Sequence, residues 1–318
     1  MLIVGQENID SPIEIIAESG RMYAVAFSAN GEHLLSGGDG NVQVWRVEDA
    51  KKIATMEVTQ GDDVRCLAVS KDGRWIAAGT DEGEVYVWDA DTHEQVWSHK
   101  EDSEDINAVD FSPDSTRLVS GSDNTKAIIW DIVTRKQVQT LDHQRRVFAA
   151  KYSPQGDRVA TGTNNSIQVW DSNDGHLLMT IEVGVTPYFN TGLLWSDNHL
   201  FTISDSKIKQ LETSAGSAVS EWPVPTSDEY SCIALPNHRK FISYTSKRTA
   251  TFWDTTAHAQ LNLIEHTQDI RSIAISPDDR FIAIGREQGN INIRNLANFT
   301  VSFTYRRLVV YVNNFTGY

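Results

Sequence analysis

The sequence predicts an all-β fold: a seven-bladed β-propeller of four-stranded antiparallel blades, with the ring closed by an N-terminal strand in the last blade. Three observations predict it. A short apolar run followed by a polar turn occurs seven times in the 318 residues. The copies are spaced 40 to 43 residues apart. Each unit has room for four short strands, and no helical periodicity separates them.

The copies are AVAFSANG at 24–31, CLAVSKDG at 66–73, AVDFSPDS at 108–115, AAKYSPQG at 149–156, GLLWSDNH at 192–199, CIALPNHR at 232–239 and SIAISPDD at 272–279. Their anchors are Ser28, Ser70, Ser112, Ser153, Ser196, Pro236 and Ser276, at successive spacings of 42, 42, 41, 43, 40 and 40. Strand a ends at the anchor, and a Ser/Pro/Asp/Gly/Asn turn follows. Strand b comes next, as in HLLSGG, WIAAGT, RLVSGS and RVATGT, then strand c, as in VQVWR, VYVWD, AIIWD, IQVWD and TATFWD. A further polar turn leads to strand d, as in KKIATMEV. The a-b-c sets fall at about 21–46, 63–89, 105–131, 146–171, 189–212, 229–254 and 269–295, all within one domain spanning 1–318.

Parallel βαβ units are excluded, because they need helical spacers of about ten residues or more. A lone four-stranded sheet cannot bury both faces, so the units must stack, and a radial stack leaves only short edges. Segment 12–19, PIEIIAES, reads as the strand d that completes the last blade. Segment 301–305, VSFTY, occupies a strand-d position as well, giving eight candidates for seven a-b-c sets. The expectation is that 12–19 pairs in the last blade, while the tail 306–318 packs as an outer strand or frays.

Strand c ends in Trp45-Arg46, Trp88-Asp89, Trp130-Asp131, Trp170-Asp171 and Trp253-Asp254, with Leu211-Glu212 and Arg294-Asn295 in the other two units. Asp142-His143 and Glu265-His266 precede strand a, and the run HTQDIRSIAISPDD fills 266–279. From about residue 12 to 305 these features resemble the WD-repeat family. The resemblance implies a buried hydrogen-bond network in each blade, built from a His, a strand-b Ser or Thr, a turn Asp and the strand-c Trp. Blade four comes nearest, with His143, Thr161, Asn164 or Asn165, and Trp170. Blade seven keeps His266 but has Ile284 and Arg294 at the partner positions, so its network cannot form. Most blades are therefore expected to rest on packing.

A formal charge of −15 and a pI near 5.0 weigh against nucleic-acid and membrane partners. Cys66 and Cys232 lie in corresponding apolar runs, which suits buried reduced thiols and a cytoplasmic, or alternatively nuclear, location. The N-terminal residues lack a signal-peptide pattern, and no apolar run approaches bilayer-spanning length. The nine histidines fall mostly in turns on different blades, without ligand spacing, so no metal and no cofactor is expected. Carboxylates, including Glu101, Asp102, Glu104 and Asp105, read as solvated loop residues. No nucleophile elbow, P-loop or dinucleotide fingerprint appears in its strand–helix context.

The d–a and b–c loops open on one face, by the family's convention the top. Positions flanking the first buried residue of strand a point to its central mouth. Arg21, Tyr23, Arg65, Arg146, Phe148, Tyr188, Phe189 and Arg271 form the candidate partner-binding patch, since arginine and aromatics dominate interface hot spots. The expected function is a non-catalytic scaffold that binds protein or peptide partners, as a monomer or within a larger complex. A regulatory module recruiting signalling proteins and a propeller enzyme with a site in the central channel are the alternatives.

Overall fold

A computed structural model describes residues 12–16, 21–183, 192–205, 207–223, 233–234, 241–246, 248–254 and 257–296. It contains seven four-stranded antiparallel sheets. Blade one is Met22–Phe27, His33–Gly38, Asn41–Arg46 and Lys52–Glu57. Blades two to six occupy 64–100, 106–142, 149–182, 194–223 and 233–265. Blade seven combines Ile270–Ile275, Phe281–Arg286 and Asn290–Asn295 with Ile13–Ile16 as its outermost strand.

The ring closes from the N-terminus: Ile13, Glu14, Ile15 and Ile16 face Ile293, Asn292, Ile291 and Asn290. Ile15 is buried in this register and joins Met22, Phe27, Trp45, Ala283 and Ile293 in one apolar cluster linking blades seven and one. The competing segment 301–305 and the tail 306–318 lie outside the described residues, as do 17–19 of the expected closing strand.

The anchors owe their recurrence to a hairpin cap. The hydroxyl oxygens of Ser28, Ser70, Ser112, Ser153 and Ser276 each accept a hydrogen bond from the N–H five residues on, at 2.8–3.0 Å. In four of these turns the hydroxyl donates to an Asn or Asp two residues on, at 2.6–2.7 Å. The strand-c aspartates do the same for the c–d turns. Asp89 Oδ1 accepts from the N–H groups of Thr92 and Asp91, Asp131 from Thr134, Asp171 from Asn173 and Asp254 from Ala257. These backbone donors, with that of Thr92 leading for Asp89 and that of Thr134 for Asp131, hold both carboxyls below their ordinary range.

Blades meet through a glycine in strand b. A Cβ on Gly37 would strike Val64 Cγ1, one on Gly121 would strike Val147 Cγ1, and one on Gly285 would meet Met22 Sδ at 2.9 Å. Gly79 is set against Ile106 in the same way. Val64, Ile106 and Met22 open strand a of the next blade and Val147 lies two residues before it, so the missing side chain fixes how closely the sheets approach.

Candidate functional site

Four of the strands a are built with a bulge. The register with strand b slips between Met22 and Ala24, Val64 and Cys66, Ile106 and Ala108, and Ile270 and Ser272. The extra residues are Tyr23, Arg65, Asn107 and Arg271. A bulge re-aims its side chain out of the pleat. Tyr23, Arg65 and Asn107 line an axial cavity of about 290 Å³, together with Cys66, Phe148 and Lys151.

The mouth residues are tied from blade to blade. The Tyr23 hydroxyl donates to Asp63 Oδ2 at 3.2 Å, and the Arg65 guanidinium lies 4.9 Å from the centre of the Tyr23 ring. Arg65 pairs with Asp105 at 3.1 Å. Asn107 Nδ2 donates to Asp123 Oδ1 at 2.7 Å and to the Val147 carbonyl at 3.1 Å. Arg146 pairs with Asp123 Oδ2 at 2.7 Å, and Arg271 with Glu287 at 2.6 Å. The chain of contacts thus runs continuously from blade one to blade four.

Carboxylates neutralise the expected arginine field. Burial, with Asp63 nearby, raises the Asp39 carboxyl above its ordinary value. Burial also raises that of Asp105, with Asp123 and Asp81 adding to the shift and Arg65 and Arg146 opposing it. Asp39, Asp81, Asp123 and Glu287 each stand eleven residues after a serine anchor, at the start of a b–c turn. That spacing was the sequence signal for Asp123 and Glu287, the partners of Arg146 and Arg271.

The patch residues differ in what they offer. Arg21 is exposed, and its N–H donates to Asp39 Oδ2 at 3.1 Å. Arg146 has 62% of its side chain exposed. Phe148 is buried at 6% exposure, because strand a of blade four has no bulge: pairing begins at Ala149 with Gly162, and the Phe148 N–H donates to the Gly162 carbonyl. Arg271 has only 14% of its side chain exposed and pairs with Glu287. Tyr188 and Phe189 lie outside the described residues.

The tryptophan networks correct two expectations. In blade four Trp170 Nε1 donates to Thr161 Oγ1 at 2.9 Å, and His143 Nε2 lies 2.7 Å from the same oxygen. His143 Nδ1 faces the Leu141 carbonyl at 2.8 Å. A carbonyl only accepts, so the proton sits on Nδ1 and Nε2 accepts from the threonine hydroxyl. Neither Asn164 nor Asn165 joins: the Asn165 side-chain oxygen accepts from Thr163, and that of Asn164 is buried without a partner.

Two other blades keep a shorter form of the network, with a different partner in one of them. Trp45 Nε1 donates to Ser36 at 2.9 Å, and Trp130 Nε1 to Ser120 at 3.0 Å. Ser120 in turn donates to Glu101, which is therefore no solvated loop residue. Blade two has Ala78 at the serine position, and there Trp88 stacks on Tyr86 at 5.3 Å. In blade six Trp253 turns to Thr251 of its own strand, at 3.2 Å. In blade seven His266 Nε2 is buried without a partner among the described residues, as Ile284 and Arg294 imply.

Chemically, the mouth assembles paired charges. Among the described residues no group of three or more His, Cys, Asp or Glu side chains is placed to hold a metal ion. Burial pushes the Cys66 thiol up to about 12, and its Sγ donates to the Ile106 carbonyl at 3.3 Å, so it presents no thiolate to the channel.

Comparison with known proteins agrees with this architecture. Residues 21–295 match the family described as IFT122 first beta-propeller. WD repeat and SOCS box-containing protein 1 of Xenopus tropicalis is 35% identical over 80 residues. That match spans 24% of this chain and 18% of the relative. A solved structure described as Crystal Structure of Mitotic Checkpoint Complex superposes with a TM-score of 0.80 over 93% of this chain and 97% of that one, at 18% identity, a likeness in fold. With seven blades, tryptophan-ended strands c and a family match across every blade, the chain belongs to the WD-repeat β-propellers of the IFT122 first beta-propeller family.

Proposed function

We propose that the chain is a non-catalytic docking scaffold whose top mouth seats a peptide or loop of a partner protein. One observation carries this reading. The mouth side chains of four successive blades are locked to one another by the Tyr23–Asp63, Arg65–Asp105, Asn107–Asp123 and Arg146–Asp123 contacts. A surface ordered before the partner arrives avoids most of the entropy cost of ordering it on binding. Arg146 supplies an accessible anchor, and Arg21 and Tyr23 flank it across the opening. Among the described residues the mouth charges are paired and burial raises the Cys66 thiol, which favours docking over catalysis there. A relative whose name joins WD repeats to a SOCS box favours a propeller that recruits partners into a larger assembly.

The test is affinity capture with the wild type and with Arg21→Glu and Arg146→Glu, which change exposed side chains without disturbing the core. Phe148→Ala is unsuitable, because truncating a buried phenylalanine costs about 3–5 kcal/mol and would confuse binding with folding. Loss of specific partners from both variants supports the mouth as the docking surface. Capture of the same partners by all three proteins would move the surface elsewhere.

A further inference from the structure

Blade seven carries a second polar constellation, away from the axial mouth. Strands b and c of this blade pair Ile284 with Asn292 and Ile282 with Arg294, and Glu14 of the closing strand pairs with Asn292. The two-residue period of a strand therefore sets Arg286, Asn292, Arg294 and Glu14 on one face. Ile282 and Ile284 of that face pack against Ala250, Phe252 and Ile264, so it is the face turned to blade six. His266 stands at the connection between the two blades, directly after the strand Gln260–Glu265.

The charges in this seam do not balance among the described residues. Arg286 has only 10% of its side chain exposed, and its nearest carboxylate oxygen, on Glu14, is 3.6 Å away, beyond hydrogen-bond range. Its Nε has no partner. Arg294 Nε donates to the neutral Asn292 side chain at 2.7 Å. Two guanidinium groups thus share one carboxylate, on a Glu14 side chain that is 59% exposed. His266 Nε2 is buried and unpaired, and burial together with Arg286 and Arg294 pulls the ring down to about 4. A buried charge without a counter-ion is costly, and nothing in the packing of this blade requires it. The strand-c position of Arg294 holds tryptophan in five other blades.

We propose that the seam between blades six and seven is an anion site that receives a phosphate group carried by a partner protein, held by Arg286 and Arg294 with His266 beside it. Guanidinium forks match phosphate oxygens in pairs, and a phosphate dianion would balance the surplus of cations. The low exposure of Arg286 favours a single projecting side chain over a flat bilayer. The overall charge of −15 also opposes an anionic membrane. The site uses none of the side chains assigned to the mouth, although Arg286 directly precedes Glu287, the mouth partner of Arg271.

The experiment titrates inorganic phosphate into the full chain while following the His266 ring by NMR. Phosphate is expected to shift that ring saturably and to raise its pKa above about 4. Arg286→Gln and Arg294→Gln should each weaken phosphate binding about tenfold or more. Arg294→Trp, which installs the residue of the other blades, should fold and lose the response. Arg280→Gln, at an exposed arginine outside the seam, and Arg146→Glu should leave it unchanged. A phosphoserine peptide should then bind in preference to its unphosphorylated twin. An unresponsive wild type would overturn the proposal. So would unaltered phosphate binding in Arg294→Gln and Arg294→Trp, or binding to phosphatidylinositol phosphate vesicles without any binding of the phosphopeptide.

Discussion

Glu101 accepts a 2.6 Å hydrogen bond from the Ser120 hydroxyl across the seam between blades two and three. It stands where His143 stands against Thr161 one blade later. Both relays end on an indole N–H, that of Trp130 or Trp170. The two receptors titrate in opposite senses. Burial lifts the Glu101 carboxyl to about 7, whereas burial drops the His143 ring to about 4. In each case burial disfavours the charged form, of an acid in one and of a base in the other.

The first prediction concerns pH. A carboxyl raised from 4.5 to about 7 by folding contributes stability that is complete below pH 4.5 and is lost as pH rises through 7. The loss amounts to at most about 3 kcal/mol. Glu101→Gln keeps an acceptor for Ser120 but removes the titration. Urea unfolding at pH 5 and pH 8 should show the variant gaining on the wild type at the higher pH. An equal difference at both values would refute the assignment.

His143 acts on the other flank. A ring lowered from 6.5 to about 4 contributes stability present above pH 6.5 and lost as pH falls through 4. In the wild type the gain from Glu101 partly masks this loss between pH 6.5 and 4.5. Glu101→Gln should therefore reveal a steeper acid destabilisation, and His143→Gln in the same background should flatten it. Thermal melts across pH 4 to 7 check both.

Thr161 is the hub of its relay. Thr161→Val keeps the shape but strands His143 Nε2 and Trp170 Nε1 in the core. The expected cost is about 3 kcal/mol, since two buried polar groups lose their partner. Denaturant unfolding at neutral pH should show it, with the slope unchanged.

Tyr152 is predicted to behave oppositely. It is buried at 5% exposure, and its hydroxyl has no partner among the described residues. Tyr152→Phe removes an unsatisfied group without opening a cavity, so the melting temperature should hold or rise. A clear fall would show that the hydroxyl is bonded in solution.

The repeat was legible because its period is written in chemistry. A serine caps five of the a–b turns, a strand-c aspartate caps four of the c–d turns, and an indole ends five of the strands c, so anchors, blade number and closure by the N-terminal strand could all be read. The mouth was less legible. Strand spacing placed Arg65, Asp105 and Arg271 at the opening, but not Glu287 of the b–c turn that engages Arg271. Phe148 sits at the same offset from its anchor as Tyr23 and Arg65, yet turns inward, because a bulge is a register event with no residue type of its own. Glu101 looked like part of an acidic loop. Its partner is set by a contact between blades, and only the family's histidine position, matched to Ser120, could have marked it.

The closeness of the blades gives the last prediction. Gly79 does not have the left-handed backbone that favours glycine, so its conformation tolerates alanine. What excludes the methyl group is Ile106 of the next blade, backed by Cys66 Sγ at 2.8 Å from the position a Cβ would take. Ile106 is fully buried and cannot retreat without displacing Val109 and Phe111 in the same cluster. Gly79→Ala should therefore cost about 2–3 kcal/mol through overpacking. Gly40 presents the reverse case, with a φ of +75° and open space around the missing side chain. Gly40→Ala pays only for backbone strain, about 1 kcal/mol. Ile106→Ala, which removes the Cγ2 nearest that position, should recover part of the Gly79→Ala loss and none of the Gly40→Ala loss, since only the first arises between blades. A double-mutant cycle by denaturant unfolding reads the difference directly, and equal coupling in both pairs would mean that strand b is not what spaces the sheets.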